Sequence, residues 1–325
     1  MQLLQKLLTK FNGLRFKQEY LCLAKETFPD PLNVYLISEK KVIRDITNHH
    51  LFIGYSPLVF TFPSFNEINL SQSDHITIAF TQKDVGSNEI FSKKDALATI
   101  YFKKISKHFA NHTAIYFYKG VKAEHRFLNS FHQFILQLSN DLYNRKPGNV
   151  FLAGNLYKQV QVAYAVPRNI SLITVKQSNL FNLFPTDLHG QIDDRHYIIS
   201  LRRGGMAAQQ VETIKKILIS EVRAEFYKTA YSLGKNHMRE LKGKDQFLFD
   251  SRLSQVLQLP LPQSATHYRE LELLDSFEHG IHRFFLLKII NQGQIENRLE
   301  TLAHVHNVYA TWRHSKGLPG NYLLR

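Results

Sequence analysis

The chain has 325 residues, 44% hydrophobic and 21% charged, a length that suits two domains better than one small core. A single cysteine, Cys22, excludes internal disulfides, iron–sulfur clusters and multi-cysteine zinc sites, and points to a reducing, cytoplasmic setting. The net charge is +14, but the basic pairs (Lys40-Lys41, Lys93-Lys94, Lys103-Lys104, Arg202-Arg203, Lys215-Lys216) are scattered, so a solvated surface or an anionic ligand is expected, not a nucleic acid.

Residues 1–11 place Leu3, Leu4, Leu7, Leu8 and Phe11 on one helical face, an amphipathic docking helix without the features of a signal peptide. No apolar run reaches the roughly 18 residues of a membrane span. Strand-like runs follow at Asn33–Ile37 and Leu51–Phe62, punctuated by prolines. Residues 64–96 are polar around a short strand at Ile76–Thr81. Strands are predicted at Ala98–Ile105 and Thr113–Tyr118, with Gly120 as a turn. From 126 to 144 the period changes: Phe127, Leu128, Phe131, Ile135, Leu138 and Leu142 recur at helical spacing. Pro147-Gly148-Asn149 ends that helix and divides an α+β region, 1–148, from a second domain, 149–325.

In the second domain, strands are expected at Val160–Val166 and Ile170–Val175. A polar turn, Lys176–Asn179, leads into Leu180–Phe184, and His196–Leu201 is the next strand. Gly204-Gly205 breaks it, a short helix spans Met206–Lys216, and Ile217–Val222 is extended again. Residues 226–266 are loop-rich. Tyr268–Asp275 and His282–Ile290 are closing strands around a turn at 278–280, and Leu302–Trp312 suits strand or helix. Many strands with few helices predict a mainly β barrel or sandwich. Pro31-Leu-Asn-Val-Tyr-Leu-Ile37 echoes Pro167-Arg-Asn-Ile-Ser-Leu-Ile173, which suggests that the first half is a degenerate, non-binding copy of the second.

Familiar catalytic motifs are missing: there is no nucleophile elbow, phosphate loop or dinucleotide fingerprint. His304 and His306 would point to one side of a strand, near His279 and His282, but no carboxylate partner accompanies them and no metal is expected.

The stretch Ile170–Glu212 resembles the flavin reductase-like family, the FMN-binding split barrels, and the likeness extends over about residues 158–313. Ser171-Leu-Ile-Thr174 resembles the first strand, Asn182 to His189 the flavin-contacting segment, Tyr197–Leu201 the next strand and Arg202–Gln210 the turn and helix after it. Gly280-Ile-His282 resembles the start of a late strand. Ser220 stands where the family has Asn, and Pro185 and Asp187 are unusual in the contacting segment. The resemblance implies a split β-barrel at 149–325 with FMN as cofactor and FAD as the alternative. It implies cofactor contacts from Asn182, Phe184, Pro185, Thr186, Asp187, Leu188, His189, Ser200, Leu201, Arg202 and Arg203, and a catalytic role for His282 beside the nicotinamide. Thr186 and Ser200 suit a flavin ring or ribityl chain, and Arg202 and Arg203 suit its phosphate. It further implies hydride transfer from NAD(P)H to flavin, with the cofactor carrying the redox chemistry. A non-catalytic flavin-binding electron carrier and a basic interaction module that has lost its cofactor are the other readings. Family members are homodimers with flavin at the interface; a copied first half would supply that interface as an intrachain pseudo-dimer.

Overall fold

The structure is a computed structural model that describes residues 7–8, 11–24, 28–63, 73–110, 113–144, 150–297, 301–320 and 322–323. Most of the predicted N-terminal helix and the Pro147-Gly148-Asn149 break lie outside the described residues; Leu7 and Leu8 are helical and Leu8 is buried.

After β1 (Tyr20–Leu23), the first half runs β2 (Asn33–Ser38), β3 (Lys41–Asp45), β4 (Leu51–Tyr55), β5 (Leu58–Pro63), β6 (His75–Thr81), β7 (Ala98–Ala110) and β8 (Thr113–His125). These strands form one antiparallel sheet in the order β3-β2-β6-β7-β8-β5-β4. Alternate residues face one core: Val34 and Leu36, then Ile76, Ile78 and Phe80, then Ala98, Ile100 and Phe102. Phe52 on edge strand β4 stacks on Phe80 of β6 at 6.4 Å, although β6 lies four places away, so the sheet curls into a barrel.

Two helices, α1 (Ser130–Tyr143) and α2 (Asn155–Ala163), lead out of it. The helix expected between 126 and 144 is present as α1; of the residues at helical spacing Phe127 and Leu128 are buried just ahead of it, whereas Phe131 is 60% and Leu142 52% exposed and the buried residues of α1 itself are Leu136 and Asn140. The segment expected as a strand at Val160–Val166 belongs mostly to α2. Its Val-x-Val alternation misleads because the intervening Gln159 and Gln161 are buried too, Gln161 bonded to His125. Gly120 is no turn but lies inside β8. A Cβ there would meet Gln159 Oε1 at 2.3 Å, so glycine is needed for the close approach of α2.

The second half contains β9 (Arg168–Asn169), β10 (Ser171–Gln177), β11 (Leu180–Thr186), β12 (His189–Gln191), β13 (His196–Arg202), α3 (Met206–Ile214), β14 (Lys216–Val222), α4 (Tyr227–Ser232), β15 (Lys242–Gly243), β16 (Phe249–Leu253), β17 (Pro260–Pro262), β18 (Ala265–His279) and β19 (His282–Gln294). The main sheet is ordered β12-β13-β19-β18-β14-β10-β11-β15. β11 and β13 touch although they are far apart in that order, so this sheet also closes. Its core combines Ile173, Val175, Phe184, Ile199, Leu201, Ile219 and Phe285 with Ala208 and Val211 of α3. The chain ends in β20 (Ala303–His306), α5 (Asn307–Ser315) and β21 (Tyr322–Leu323). β20 pairs with β1, and Tyr309 and Trp312 of α5 pack into the core of the first half.

Apart from β15, which extends the second sheet beyond β11, the two sheets have the same order: β3-β2-β6-β7-β8-β5-β4 against β11-β10-β14-β18-β19-β13-β12. Their long hairpins also share a register. Ala110 pairs with Thr113 and His279 with His282 at the turns, and this spacing of 169 positions (279 − 110) holds along both arms. Each hairpin carries an irregularity in its first arm, at Ile105 and at Leu274, and one in its second arm, at Val121 and at Ile290; both fall at corresponding positions. The short echo noticed in the sequence is out by one residue: the ladders equate Leu36 with Ile173, not with Leu172. A slip of one would have turned every side chain of the strand to the other face.

The halves meet through corresponding strands. Ile53, Val59, Ile115 and Phe117 pack on Ile192, Ile198, Phe284 and Leu286. Corresponding residues touch each other: His108 stacks on Phe277 at 3.8 Å, and a Cβ on Gly190 would lie 2.2 Å from Leu51 Cδ2. The seam therefore joins like patches of the two sheets.

Candidate functional site

The end of β11 and the start of β12 bring Thr186, Asp187 and His189 to one corner of the second barrel, beside Arg202 at the end of β13. A cavity of about 620 Å³ opens there. Asp187, Arg202 and His304 line it together with Tyr55 of the first barrel, Tyr157 and Tyr164 of α2 and its end, Tyr20 of β1, Glu19, Asn140 and Asn144. The cavity is therefore composite, with walls from both halves.

Asp187 is its electrostatic centre. One carboxylate oxygen, Oδ2, accepts the Tyr164 hydroxyl at 3.0 Å and faces His304 Nδ1 at 2.9 Å. Burial favours the neutral acid, but the His304 bond and charge, with Arg168 and Tyr164, outweigh it and hold the carboxyl down at about 2. His304 is the converse case. Burial lowers it, yet the bond to Asp187 leaves it raised above the ordinary histidine value. Arg168 lies between the Phe52 and Tyr164 rings at 4.8 and 4.6 Å and donates to the Phe52 carbonyl. Tyr20 and Tyr164 are raised by burial first, so both phenols stay protonated.

Of the residues singled out in the sequence, Asp187 and Arg202 reach this cavity. Thr186 and Pro185 line a smaller neighbouring pocket of about 100 Å³, together with Asp187, Tyr231 and His304. His189 lies in a third cavity, of about 360 Å³, opposite His50. There it donates from Nε2 to the Asn169 carbonyl at 3.0 Å and accepts the Tyr197 hydroxyl at Nδ1, 2.6 Å away. Burial pushes its pKa down to about 4. Phe184 and Leu201 are core residues, and Leu188 is buried. Asn182 is buried, donating to Gln210 Oε1 at 2.8 Å and the Asn236 carbonyl at 3.0 Å. Arg203 is exposed and ion-paired with Glu278 at 3.4 Å. Ser200 and His282 form a buried pair, 3.0 Å from Oγ to Nδ1, and His282 Nε2 accepts the Tyr55 amide at 3.3 Å. Burial lowers His282 to about 4, so its imidazole is neutral, and it stands behind the Tyr55 ring at 4.7 Å.

The donor set fits a flavin in part. Aromatic walls suit a flat ring and Arg202 offers a cation for a phosphate, whereas the Asn140 amide is spent on Asp141, the Leu152 carbonyl and Asn144, and Glu19 and Asp187 place two carboxylates on the same lining. Arg203 is turned to Glu278.

The solved structures that the chain resembles are flavin reductases and FMN-binding proteins. Over 50% of this chain and 96% of the other it is similar to the NADH:FAD oxidoreductase SgcE6 of Streptomyces globisporus C-1027, with a TM-score of 0.41 at 18% identity. Over 52% and 98% it is similar to BorF, the flavin reductase component of a bacterial two-component tryptophan halogenase, with a TM-score of 0.41 at 13% identity. Over 40% and 74% it is similar to an FMN-binding protein from Thermus thermophilus with bound p-hydroxybenzaldehyde, with a TM-score of 0.36 at 19% identity. No protein-family model and no curated protein matches the chain.

Sequence reasoning missed Tyr20, Tyr55, Tyr157 and Tyr164. They sit on three separate segments, β1, β4 and α2, and only Tyr157 and Tyr164, two helical turns apart, share a local period. His304 drew attention as a metal candidate, but its partner Asp187 lies 117 positions away. Among the described residues no helix is long and apolar enough to cross a membrane.

Proposed function

We propose that the protein is an FMN-binding oxidoreductase of flavin reductase type, built as two split barrels paired within one chain, with the flavin in the composite cavity. The observation that carries this reading is the cavity itself: about 620 Å³, walled by Tyr20, Tyr55, Tyr157 and Tyr164, with Arg202 on its lining and both halves contributing. The pairing rests on the common strand order, the shared hairpin register and the like-on-like contacts between the halves. Bound flavin supplies the hydride acceptance and NAD(P)H the hydride. The chain contributes aromatic walls and the Arg202 guanidinium for the phosphate. FAD would need its adenosine to leave the same cavity, so FMN is the first choice.

Titration of FMN with protein, read by flavin fluorescence and the 450 nm band, tests this. Saturable binding is expected, weakened about tenfold in Arg202→Ala, or roughly 1.4 kcal/mol. NADH added anaerobically should then bleach the bound band. A protein that retains no FMN at any concentration contradicts the proposal.

A further inference from the structure

The cavity of about 360 Å³ lies on the seam between the halves. Corresponding residues line it from both barrels, His50 with His189 and Leu51 with Gly190. Its size falls within the roughly 300–1,000 Å³ of small-molecule sites. Asp187 also borders the large cavity, but Arg168, Glu221 and Arg269 line only this one of the two.

The charges on its lining do not balance. Arg269 is ion-paired with Glu221 at 3.0 Å. The Asp187 carboxylate is held by His304 at 2.9 Å and by the Tyr164 hydroxyl at 3.0 Å. His50 and His189 are neutral near pH 7, both lowered to about 4. That leaves Arg168. Among the described residues it has no ion-pair partner, although Asp187 acts on it through space. Its guanidinium packs against the Phe52 and Tyr164 rings. Nη1 is spent on the Phe52 carbonyl, and Nε is buried with no hydrogen-bond partner. The Nε–Nη2 edge is what remains for an acceptor. Desolvation holds the pKa of Arg168 below the usual arginine value. A half-buried cation with an open donor edge is costly until an anion meets it.

We propose that this cavity binds a small organic acid, its carboxylate on Arg168 and its apolar body against Leu51, Phe52, Val166 and Pro167. A guanidinium edge matches the two oxygens of a carboxylate, with both charge and direction in its favour. The four apolar residues line the same cavity, and an inorganic anion such as phosphate leaves them uncovered. The bound acid neutralises Arg168 and ties β4 of the first half to β9 of the second. The site is independent of the flavin reading, because Arg202 and the tyrosine walls belong to the other cavity.

Benzoate and benzamide, alike in shape but not in charge, are the probes. Benzoate titrated into the protein should move the ring-nitrogen NMR signals of His50 and His189 to saturation, the signals being assigned by their loss in His50→Gln and His189→Gln. Benzamide should bind about tenfold more weakly or worse. Arg168→Met keeps an apolar stem and drops the charge. It should lower benzoate affinity about tenfold and leave benzamide nearly unchanged. If urea curves show that variant to be unfolded, Arg168→Lys decides, since it keeps the charge and loses the fork. There benzoate should weaken about threefold and still bind better than benzamide. No saturable binding, equal affinity for the two probes, or undiminished benzoate affinity in either Arg168 variant overturns the site. Benzoate should also bind alongside FMN, and displacement of one by the other would put the acid in the large cavity and overturn it too. A protein that takes benzoate through Arg168 but never FMN contradicts the flavin reading alone.

Discussion

The two barrels keep one frame and fill it differently. In the first, Phe60, Phe80 and Ile100 stand where the second has Tyr197, Glu221 and Arg269. Phe52, Phe60, Phe80 and Phe102 form a ring cluster there, Phe60 lying 5.3 Å from Phe102. At the same places in the second barrel, Glu221 and Arg269 are ion-paired at 3.0 Å and line the 360 Å³ cavity with Tyr197 and His189. The frame depends on ladder registers, bulges and the shared seam, which many side chains can satisfy.

If the seam is a true two-fold interface, equivalent damage on either side must have equivalent consequences. Phe117→Ala and Leu286→Ala remove corresponding, fully buried side chains, and each is expected to cost about 3–4 kcal/mol. The only tryptophan, Trp312, reports on the first core, while circular dichroism reports on both. The two signals should lose stability together in urea. Separate transitions would show that the halves do not support one another.

Acid should come next in size. His50 and His189 are corresponding residues, both half-buried on the 360 Å³ cavity and both lowered by desolvation to about 4. A histidine depressed in the folded state contributes stability that is present above its unfolded value, near 6.5. That contribution is lost as pH falls toward 4, because the unfolded chain takes up the proton first. Each shift corresponds to roughly 3 kcal/mol. Asp187, held to about 2, adds a loss below pH 4. His304, raised, acts in the opposite sense, its contribution fading as pH rises through its folded value. His50→Gln and His189→Gln should each flatten the loss between pH 6.5 and 4 in urea titrations. An unchanged slope in both would contradict the burial assigned to them.

The correspondence between Leu51 and Gly190 gives a smaller, paired test. Gly190→Ala drives a methyl into Leu51 and is expected to cost about 1–3 kcal/mol. Adding Leu51→Ala should recover most of it, so that the pair costs less than Gly190→Ala with an intact partner. Smallest of all should be the double change Glu221→Phe with Arg269→Ile, which installs the first barrel's residues in the second. Exchanging an ion pair for hydrocarbon is expected to leave stability within about 2 kcal/mol. A larger loss would mean that the two interiors are not interchangeable.

Much of the frame was legible because burial on one sheet face imposes an alternation that survives in the residues. Lys216–Val222 and His282–Gln294 were found within a residue or a few of their ends. Where buried polar groups broke the alternation, as at Gln159 and Gln161, a helix was taken for a strand. The echo of 31–37 in 167–173 led to the right pair of strands at the wrong register, since seven residues cannot fix a ladder that long hairpins fix easily. At the site, Asp187 and Arg202 stood out through a family resemblance. The tyrosine walls and the Asp187–His304 contact did not, because they depend on closure of segments more than a hundred residues apart.

Sedimentation velocity with FMN, followed at 450 nm where only flavin absorbs, tests the central claim that one chain does the work of a barrel pair. Flavin moving with a single species of 37.9 kDa, at one FMN per chain, is the predicted result. Flavin carried only by a species of twice that mass, or left behind at the meniscus, would contradict it.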